Sequence, residues 1–231
     1  GVLMFMNLKD YDLQENPYTK KKSTSKKIFS KIYQDHYWKS KKSLSGKGSD
    51  LESTKNYTKD LSKFLNEYRI KSIFDVPCGD FTWMNEFLKK KNIRYKGGDI
   101  VKKLINDNIK RYPDFDFSLF DLTKDQMSED FDALHIRDCL FHFSFYDIKK
   151  TLKNIINYKV KYVLITNHQS ILLKNYDIKT GKFRYLDFNK KPFFFPRPIV
   201  KLKDYKLGEF PRYIYVWKKE DFKKTLDKLI F

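Results

Sequence analysis

Residues 72–81 read Ser-Ile-Phe-Asp-Val-Pro-Cys-Gly-Asp-Phe, a sequence typical of a buried strand followed by a tight turn. Its first half is a short apolar run rich in β-forming residues, and Pro77 and Gly79 end that run with a turn. The turn holds one glycine and two carboxylates, whereas a dinucleotide-binding turn needs several glycines so that the backbone can approach a pyrophosphate. Two negative charges repel a pyrophosphate and suit a ligand with a cationic amino group. The stretch therefore disfavours a nicotinamide or ATP site.

Strands and helices alternate along the chain around this stretch. An amphipathic helix is predicted from Thr58, because apolar residues recur with helical spacing from Leu61 to Tyr68. Further strands are predicted at residues 94–98, 115–119, 133–136 and 162–166, and helices at 84–88, 101–109 and 148–156. This alternation predicts βαβ units and a parallel sheet, whose ligands bind outside the carboxyl ends of the strands.

The two ends of the chain do not follow this alternation of strands and helices. Residues 1–50 are polar and indicate an N-terminal arm and loop, with a short structured piece at about 28–38. Residues 51–231 are predicted to form the main domain, which includes an insertion at about 168–212 rich in aromatic residues and proline. The predicted elements after the insertion are a strand at 213–217 and a closing helix that contains Phe222, Leu226 and Leu229.

Acidic residues at three successive strand ends fit a single ligand. Asp75 ends the first strand, and Asp99 ends the second, where a carboxylate can accept hydrogen bonds from both hydroxyls of a ribose. Asp121 ends the third strand beside Leu122, where it can accept a hydrogen bond from an adenine amino group. A carboxylate that caps the following helix would explain each aspartate separately, but it would not explain the series.

The series resembles class I S-adenosylmethionine-dependent methyltransferases, although Pro77 and Phe81 stand where that family usually has glycines. The resemblance implies an α/β, Rossmann-like class I methyltransferase fold with a seven-stranded, mostly parallel sheet and a final antiparallel strand. It also implies S-adenosylmethionine as the cofactor, with its methionine part held by the first acid and the glycine turn, its ribose by the second acid and its adenine by the third. The cofactor-binding residues expected from it are Asp75, Pro77, Cys78, Gly79, Asp80, Asp99, Ile100, Asp121, Leu122 and Arg137.

A second resemblance extends over about residues 35–225. It is carried by YWKS at 37–40, SLSGKGS at 43–49, the stretch 75–83, RDCLFH at 137–142, DIKTG at 177–181 and PFFFPRP at 192–198. These motifs resemble bacterial methyltransferases often encoded among surface-polysaccharide genes. The resemblance implies O-methyl transfer to a sugar hydroxyl, on a nucleotide-activated sugar such as a heptose for capsular or other surface polysaccharide. The aromatic–proline stretch would form a wall of the acceptor pocket or, as the alternative, a hydrophobic lid or the surface of a homodimer. Alternatives are an RNA methyltransferase, a methyltransferase for a phosphate or phosphoramidate modification of a polysaccharide, and a non-catalytic cofactor-binding module.

A hydroxyl acceptor requires a base near the ends of the fourth and fifth strands. His168 is the first choice, Asp138 is expected to orient a base, bind a substrate hydroxyl or accept its proton, and His142 is a further candidate. Each residue also has a purely structural interpretation. His168 could be a loop histidine with a structural hydrogen bond, Asp138 could cap the following helix, and the ring of His142 could face the core. No metal is expected, because no pair of potential ligands has metal-binding spacing. The expected substrate-binding residues are Asn167, Phe193, Phe195 and Arg197.

The chain of 231 residues has 48 basic and 29 acidic residues, which leave a formal net charge of +19. Only seven of the basic residues are arginine, and the lysines are spread along the chain, so a solvated lysine-rich surface is favoured over a nucleic-acid-binding face. Two cysteines cannot build a disulfide framework, and no apolar run approaches the ~18 residues of a membrane span. We therefore expect a cytoplasmic protein that acts on a small molecule.

Overall fold

The computed structural model describes residues 24–35 and 51–226. Within the predicted N-terminal arm it contains one helix, α1, at Ser25–Gln34. The motifs at 37–40 and 43–49, the rest of the arm, and Leu229 of the predicted closing helix lie outside the described residues.

Within the described residues, seven strands form a single sheet at the centre of the structure. They are β1 (Ser72–Asp75), β2 (Arg94–Asp99), β3 (Asp116–Leu119), β4 (Phe131–Ile136), β5 (Val160–His168), β6 (Val200–Lys203) and β7 (Arg212–Lys218). Their order in the sheet is β3-β2-β1-β4-β5-β7-β6. Neighbouring strands are parallel except that β7 is antiparallel to both β5 and β6. The predicted seven-stranded, mostly parallel sheet with a final antiparallel strand is confirmed.

Helices connect the strands and cover both faces of the sheet. After α1 they are α2 (Leu51–Glu67), α3 (Thr82–Leu88), α4 (Lys102–Arg111), α5 (Phe145–Asn157) and α6 (Lys219–Leu226), with a short 3₁₀ turn at Leu140–His142. None of the helices in the described ranges is long and apolar enough to cross a membrane.

Two elements differ from the prediction for local physical reasons. Helix α2 begins at Leu51, well before Thr58, because the buried Thr54 and Tyr57 extend its apolar stripe by another turn. The Thr58 hydroxyl accordingly donates to the Lys55 carbonyl inside the helix, at 3.0 Å, and does not cap a helix start. Strand β6 was not predicted, since only one of its four side chains is buried and so short a run carries little periodic signal.

Side chains that alternate along each strand divide the core between the two faces of the sheet. In β1, Phe74 packs on the face covered by α5, α6 and part of the insertion, whereas Ile73 packs on the face covered by α2, α3 and α4. The same alternation separates Leu134 from Ala133 in β4. Burial on both faces explains why these strands read as continuous apolar runs. It also leaves only the strand ends open for binding.

The turn after β1 shows how this chain replaces the glycines of the usual motif. Phe81 adopts the left-handed conformation, with φ 61°, although it carries a bulky side chain. Its ring is fully buried and packs against four other aromatic rings, those of Tyr95, Tyr112, Phe115 and Phe117, with centroids 4.7–5.1 Å away. This packing offsets the strain of a conformation that glycine adopts freely.

Strand β2 requires glycine where it passes beneath an aromatic ring. A Cβ atom added to Gly97 would lie 2.6 Å from Cδ1 of Phe117 and 3.0 Å from Cβ of Cys78. Both distances are shorter than ordinary van der Waals contacts, so the neighbours would have to move. The close approach lets the aromatic cluster pack directly beside the turn after β1.

We predict that Gly97→Ala destabilises the fold by about 1–3 kcal/mol, because the added methyl group overpacks the interface with Phe117. Urea unfolding followed by tryptophan fluorescence measures the change. In a Phe117→Leu background, whose shorter side chain relieves part of the overlap, the same substitution should cost less. An equal cost in both backgrounds would show that the contact with Phe117 is not the cause.

Candidate active site

A cleft opens at the carboxyl ends of β1 to β4. It is lined by Phe29 and Tyr33 of α1 and by strand-end and neighbouring residues, among them Asp75, Pro77, Cys78, Gly79, Asp99, Ile100, Phe120, Asp121, Leu122, Arg137, Asp138, Cys139, His142 and Phe143. Nine of the ten residues predicted to bind the cofactor are therefore together in this cleft. The exception is Asp80, which is buried and accepts a hydrogen bond from the Thr82 N–H, at 3.2 Å, where α3 begins.

Asp99 presents a buried carboxylate to the cleft. Its Oδ1 accepts a hydrogen bond from the Val101 N–H at 3.0 Å, and its Oδ2 accepts one from the Gly79 N–H at 3.3 Å. Burial raises the pKa of Asp99 to about 6, although these backbone donors and that of Ile100 oppose the rise. The group is thus held in place by the turn after β1 and titrates close to neutral pH.

Asp75 anchors a buried chain of hydrogen bonds beneath the cleft. Its Oδ1 lies 2.6 Å from Nδ1 of His135, and its Oδ2 accepts from the Tyr95 hydroxyl at 2.8 Å. Nε2 of His135 in turn lies 2.7 Å from the Tyr57 hydroxyl. The sequence alone did not single out His135 or the two tyrosines as parts of the site. No local pattern identifies them, because each lies on a different element from Asp75.

The wall near the end of β3 combines a fixed carboxylate with apolar surface. Asp121 Oδ1 accepts hydrogen bonds from the Thr123 N–H at 2.9 Å and the Thr123 hydroxyl at 2.7 Å, which orients the carboxylate. Phe120 and Leu122 line the cleft on either side. Burial raises the pKa of the Cys139 thiol, which also lines the cleft, well above its usual value, so this thiol adds no charge.

Four buried or partly buried charges close the end of the cleft beyond β4. Arg137 donates from Nε and Nη2 to the two carboxylate oxygens of Asp204, both at 2.9 Å. Nη1 of Arg137 lies 3.3 Å from Asp138, and Nη1 of Arg212 donates to the same carboxylate at 3.2 Å. The two arginines and two aspartates form a network with no net charge, which we call the Arg–Asp quartet.

The quartet keeps Asp138 ionised. Burial alone would raise the pKa of Asp138, but Arg137 and Arg212 outweigh it and lower that pKa below its usual value, with smaller contributions from the two nearby histidines. Asp138 has a φ of 52°, and its N–H donates to the Thr166 hydroxyl at 2.8 Å. A carboxylate held ionised at neutral pH accepts hydrogen bonds well.

His142 faces the cleft from the 3₁₀ turn after β4. Its Nδ1 lies 2.9 Å from the Lys182 carbonyl oxygen, so Nδ1 carries the proton and donates it to that carbonyl. In the neutral ring Nε2 is then the basic atom. Burial lowers the pKa of His142 to about 4, against the opposing effects of this hydrogen bond and of Asp138. The ring is therefore neutral at pH 7.

His168 has the opposite arrangement of its ring nitrogens. Its Nδ1 accepts a hydrogen bond from the Leu186 N–H at 3.2 Å, so the proton of the neutral ring is on Nε2. Burial, together with Arg212, lowers the pKa of His168 to about 3, and the ring is not part of the cleft lining. Its basic nitrogen is used to hold the insertion against the end of β5.

The four predicted substrate-binding residues do not meet in the cleft. Asn167 is buried, and its amide joins Asp187 and the Phe188 N–H at 3.1 and 2.7 Å. Phe193 and Phe195 are in the hydrophobic core and are almost completely buried. Arg197 is exposed and lies outside the cleft lining. The aromatic–proline stretch was recognisable by composition, but its burial depends on contacts with distant strands such as β7.

Sequence reasoning also missed two aromatic residues that α1 contributes to the cleft. Phe29 and Tyr33 are four residues apart and so face the same side of the helix. The ring of Phe29 lies 5.8 Å from that of Phe143, which joins α1 to the segment that carries His142. The four-residue spacing was the signal that could have revealed them.

The described lining of the cleft is mainly acidic, although the whole chain has a net positive charge. Among the described residues that line it, Asp75, Asp99, Asp121 and Asp138 are acidic, whereas Arg137 is the one lysine or arginine. In the ranges described, no group of three or more His, Cys, Asp or Glu residues is arranged to hold a metal ion. The cleft suits a ligand with cationic groups or with many hydroxyls.

No family model and no curated protein matches the chain, but solved structures share its fold. Magnesium protoporphyrin IX methyltransferase from Synechocystis PCC 6803, with bound SAH, superposes with a TM-score of 0.59 at 10% identity, covering 84% of this chain and 99% of that one. 1,6-Didemethyltoxoflavin-N1-methyltransferase from Burkholderia thailandensis, with bound S-adenosylhomocysteine, has a TM-score of 0.57 at 14% identity, covering 84% of this chain and 86% of that one. The N-methyltransferase NodS from Bradyrhizobium japonicum has a TM-score of 0.52 at 8% identity, covering 71% of this chain and 94% of that one. The chain has the Rossmann-like fold of these methyltransferases.

We predict that Asp204→Ala destabilises the protein by about 3–5 kcal/mol, because it leaves Arg137 buried without its bidentate partner. Urea unfolding measures the loss. The matched control is Asp130→Ala, since Asp130 is 77% exposed and pairs with Lys159 at 3.4 Å; that substitution should change stability little. Similar losses for both variants would contradict the stabilising role of the quartet.

Proposed function

We propose that the protein is a methyltransferase that uses S-adenosylmethionine. The observation that carries the proposal is the meeting of Asp75, Asp99 and Asp121 in one cleft, each at or just beyond the end of its strand in a methyltransferase fold. The chemistry of these groups fits the cofactor, which brings an amino group, a ribose diol and an adenine together with a positive sulfonium. When bound, the cofactor supplies an electrophilic methyl group.

Different residues of the cleft bind the ribose, the adenine and the methionine part of the cofactor. Asp99 accepts hydrogen bonds from the ribose hydroxyls, since its buried carboxylate is already positioned by backbone donors. Asp121, Phe120 and Leu122 enclose the adenine, with the carboxylate accepting from the amino group. The turn that contains Gly79 and the acidic end of β1 receive the methionine part. Tyr95 and His135 hold Asp75 in position for that task.

The acceptor is proposed to be a hydroxyl group, and His142 its general base. The hydrogen bond from Nδ1 to the Lys182 carbonyl fixes the tautomer in which Nε2 can accept a proton. His142 adjoins both the proposed methyl-donor site and Asp138, which is ionised and can orient the hydroxyl. This assignment replaces the expectation that His168 is the base, because the basic nitrogen of His168 is occupied by the Leu186 N–H.

The proposed substrate is a sugar hydroxyl, on a nucleotide-activated sugar such as a heptose for surface polysaccharide. The resemblance of the sequence motifs supports it, and so does a carboxylate in the cleft that is suited to accept hydrogen bonds from a polyol. An RNA substrate is less consistent with the cleft, because RNA binding relies on several Lys or Arg contacts to phosphates and Arg137 is the one lysine or arginine among the described residues that line it. The fold itself does not choose among acceptors, because methyltransferases with this fold carry the names of different substrates.

Donor binding should depend on the ionisation of Asp99. Because the pKa of Asp99 is about 6, its acceptor form becomes dominant as the pH rises through 6. We predict that the affinity for S-adenosylhomocysteine, measured by calorimetry, rises between pH 5 and pH 7. Asp99→Asn should weaken binding at pH 7 by at least about tenfold, through loss of charge-assisted hydrogen bonds, and should flatten this pH dependence. Absence of binding to the unmodified protein at pH 7 would overturn the proposed function.

Turnover should depend on His142 and much less on His168. With an acceptor found by mass spectrometry from a panel of nucleotide sugars, we predict that His142→Ala lowers kcat by about 10²–10⁴-fold while the donor Kd changes little. At saturating donor, kcat of the unmodified enzyme should fall only as the pH drops towards 4, where His142 becomes protonated.

His168→Asn is the matched control, since its amide oxygen can still accept from the Leu186 N–H. This variant should keep kcat within a few-fold of the unmodified enzyme. A large loss in His168→Asn with near-normal turnover in His142→Ala would reverse the assignment.

A further inference from the structure

A row of aromatic side chains extends from His142 away from the cleft. The ring of His142 lies 5.9 Å from that of Phe183, which lies 5.2 Å from Tyr185 at a nearly perpendicular angle. Tyr185 is stacked on Phe210 with centroids 3.9 Å apart and planes inclined by 10°. We call Phe183, Tyr185 and Phe210 the aromatic platform.

The backbone alternation of the insertion creates this platform. Between Phe183 and Leu186 the side chains alternate, with Phe183 and Tyr185 half-buried and Arg184 and Leu186 buried. The segment is held to the turn after β4, because the Arg184 N–H donates to the Phe141 carbonyl. It is also held to β5, since the His168 N–H donates to the Leu186 carbonyl at 2.8 Å. The rings are therefore fixed with respect to His142.

Core packing does not account for the whole platform. Tyr185 and Phe210 contact the ring of the buried His168, with centroids 5.0 and 6.1 Å away, but they belong to neither of the two core clusters, and both remain half-buried although they carry large aromatic rings. Phe193 and Phe195, by contrast, have no comparable exposure. Partly exposed aromatic rings beside a cleft are typical of surfaces that bind ligands.

The platform continues into the Arg–Asp quartet. Phe210 is two residues from Arg212, whose guanidinium donates to Asp138 in the cleft. Because the quartet has two charges of each sign, it offers hydrogen bonds without attracting a net charge. Asp138 supplies the acceptor oxygens, and no lysine is present among the described residues that line this cleft. A sugar ring rich in hydroxyls matches this environment, whereas a ring that itself carries an anionic group does not.

We propose that the aromatic platform binds the ring of the acceptor, and that this ring is an uncharged sugar. Sugar rings present C–H groups on one face and hydroxyls around the rim. Because stacking covers the inner faces of Tyr185 and Phe210, the C–H face packs on an outer face of this stacked pair while a rim hydroxyl reaches Asp138 and His142. This inference rests on the proposed function and moves the acceptor surface away from Phe193, Phe195 and Arg197.

Saturation-transfer NMR tests the platform without knowledge of the natural acceptor. The probes are methyl glycosides of glucose, galactose and mannose, glucose 6-phosphate as an anionic sugar, and catechol as a flat aromatic ring. The protein is measured with and without saturating S-adenosylhomocysteine. The variants are Tyr185→Ala and Phe210→Ala, with Tyr185→Phe as the variant that retains the ring. Tyr146→Ala is the control, because Tyr146 is an aromatic residue on α5 that is 69% exposed.

We expect transfer to ring C–H protons of at least one methyl glycoside in the unmodified protein, and weaker transfer to glucose 6-phosphate. Apparent affinity should fall by about two- to tenfold in Tyr185→Ala and Phe210→Ala, as expected for loss of an aromatic contact, but not in Tyr185→Phe or Tyr146→Ala. Circular dichroism of each variant identifies any loss of fold. If one alanine variant fails to fold, the other decides the result.

Several outcomes would contradict the proposal that the platform binds a sugar ring. They are the absence of transfer to all glycosides, transfer that is unchanged in both alanine variants, a preference for glucose 6-phosphate, or binding of catechol alone. Calorimetry of S-adenosylhomocysteine on the same samples separates this failure from failure of the proposed function. If the protein binds S-adenosylhomocysteine normally but shows no platform-dependent sugar signal, the proposed sugar-binding surface is wrong and the proposed methyltransferase function still stands.

Discussion

The bidentate pair between Arg137 and Asp204 is the interaction on which the rest of the site depends. It joins the end of β4 to the segment after β6, 67 residues later in the chain, and both side chains are almost completely buried. Because so little water reaches these side chains, either charge without its partner would strongly destabilise the fold. The pair brings Arg212 beside Asp138, and the two arginines then keep that carboxylate ionised at the end of the cleft beyond β4.

The two halves of the cleft are built in different ways. The half proposed to bind the donor comes from short turns directly after β1, β2 and β3, so parallel pairing alone brings its acids together. The other half depends on the insertion, which is tied to the segment after β4 by several hydrogen bonds. The Gly181 N–H donates to the His142 carbonyl at 2.7 Å, and the Thr180 hydroxyl accepts from the Ser144 N–H at 2.9 Å. The insertion therefore determines where the His142 ring lies.

This difference in construction explains what the sequence could and could not predict. The strand order and the acids at the strand ends follow from periodic apolar runs and from turn residues next to them, which are local features. Asp204 and Phe210 lie in stretches without periodicity, and their partners are far away in the chain. The choice between His142 and His168 depends on which ring nitrogen meets a backbone N–H or carbonyl, and that information is absent from residue types. Similarly, PFFFPRP was visible as an aromatic stretch, but its burial against β7 was not.

The net charge of +19 and the acidic cleft are compatible because they act over different distances. Lysines spread over a solvated surface are screened within about 8–10 Å at physiological ionic strength, so they contribute little to the potential inside the cleft. The four aspartates that line it act at contact distance, and in a partly buried site their interactions are screened much less. A positively charged ligand can thus be stabilised inside a strongly basic protein. The charge of the whole chain describes its exterior, whereas the acids at the strand ends describe the chemistry of the site.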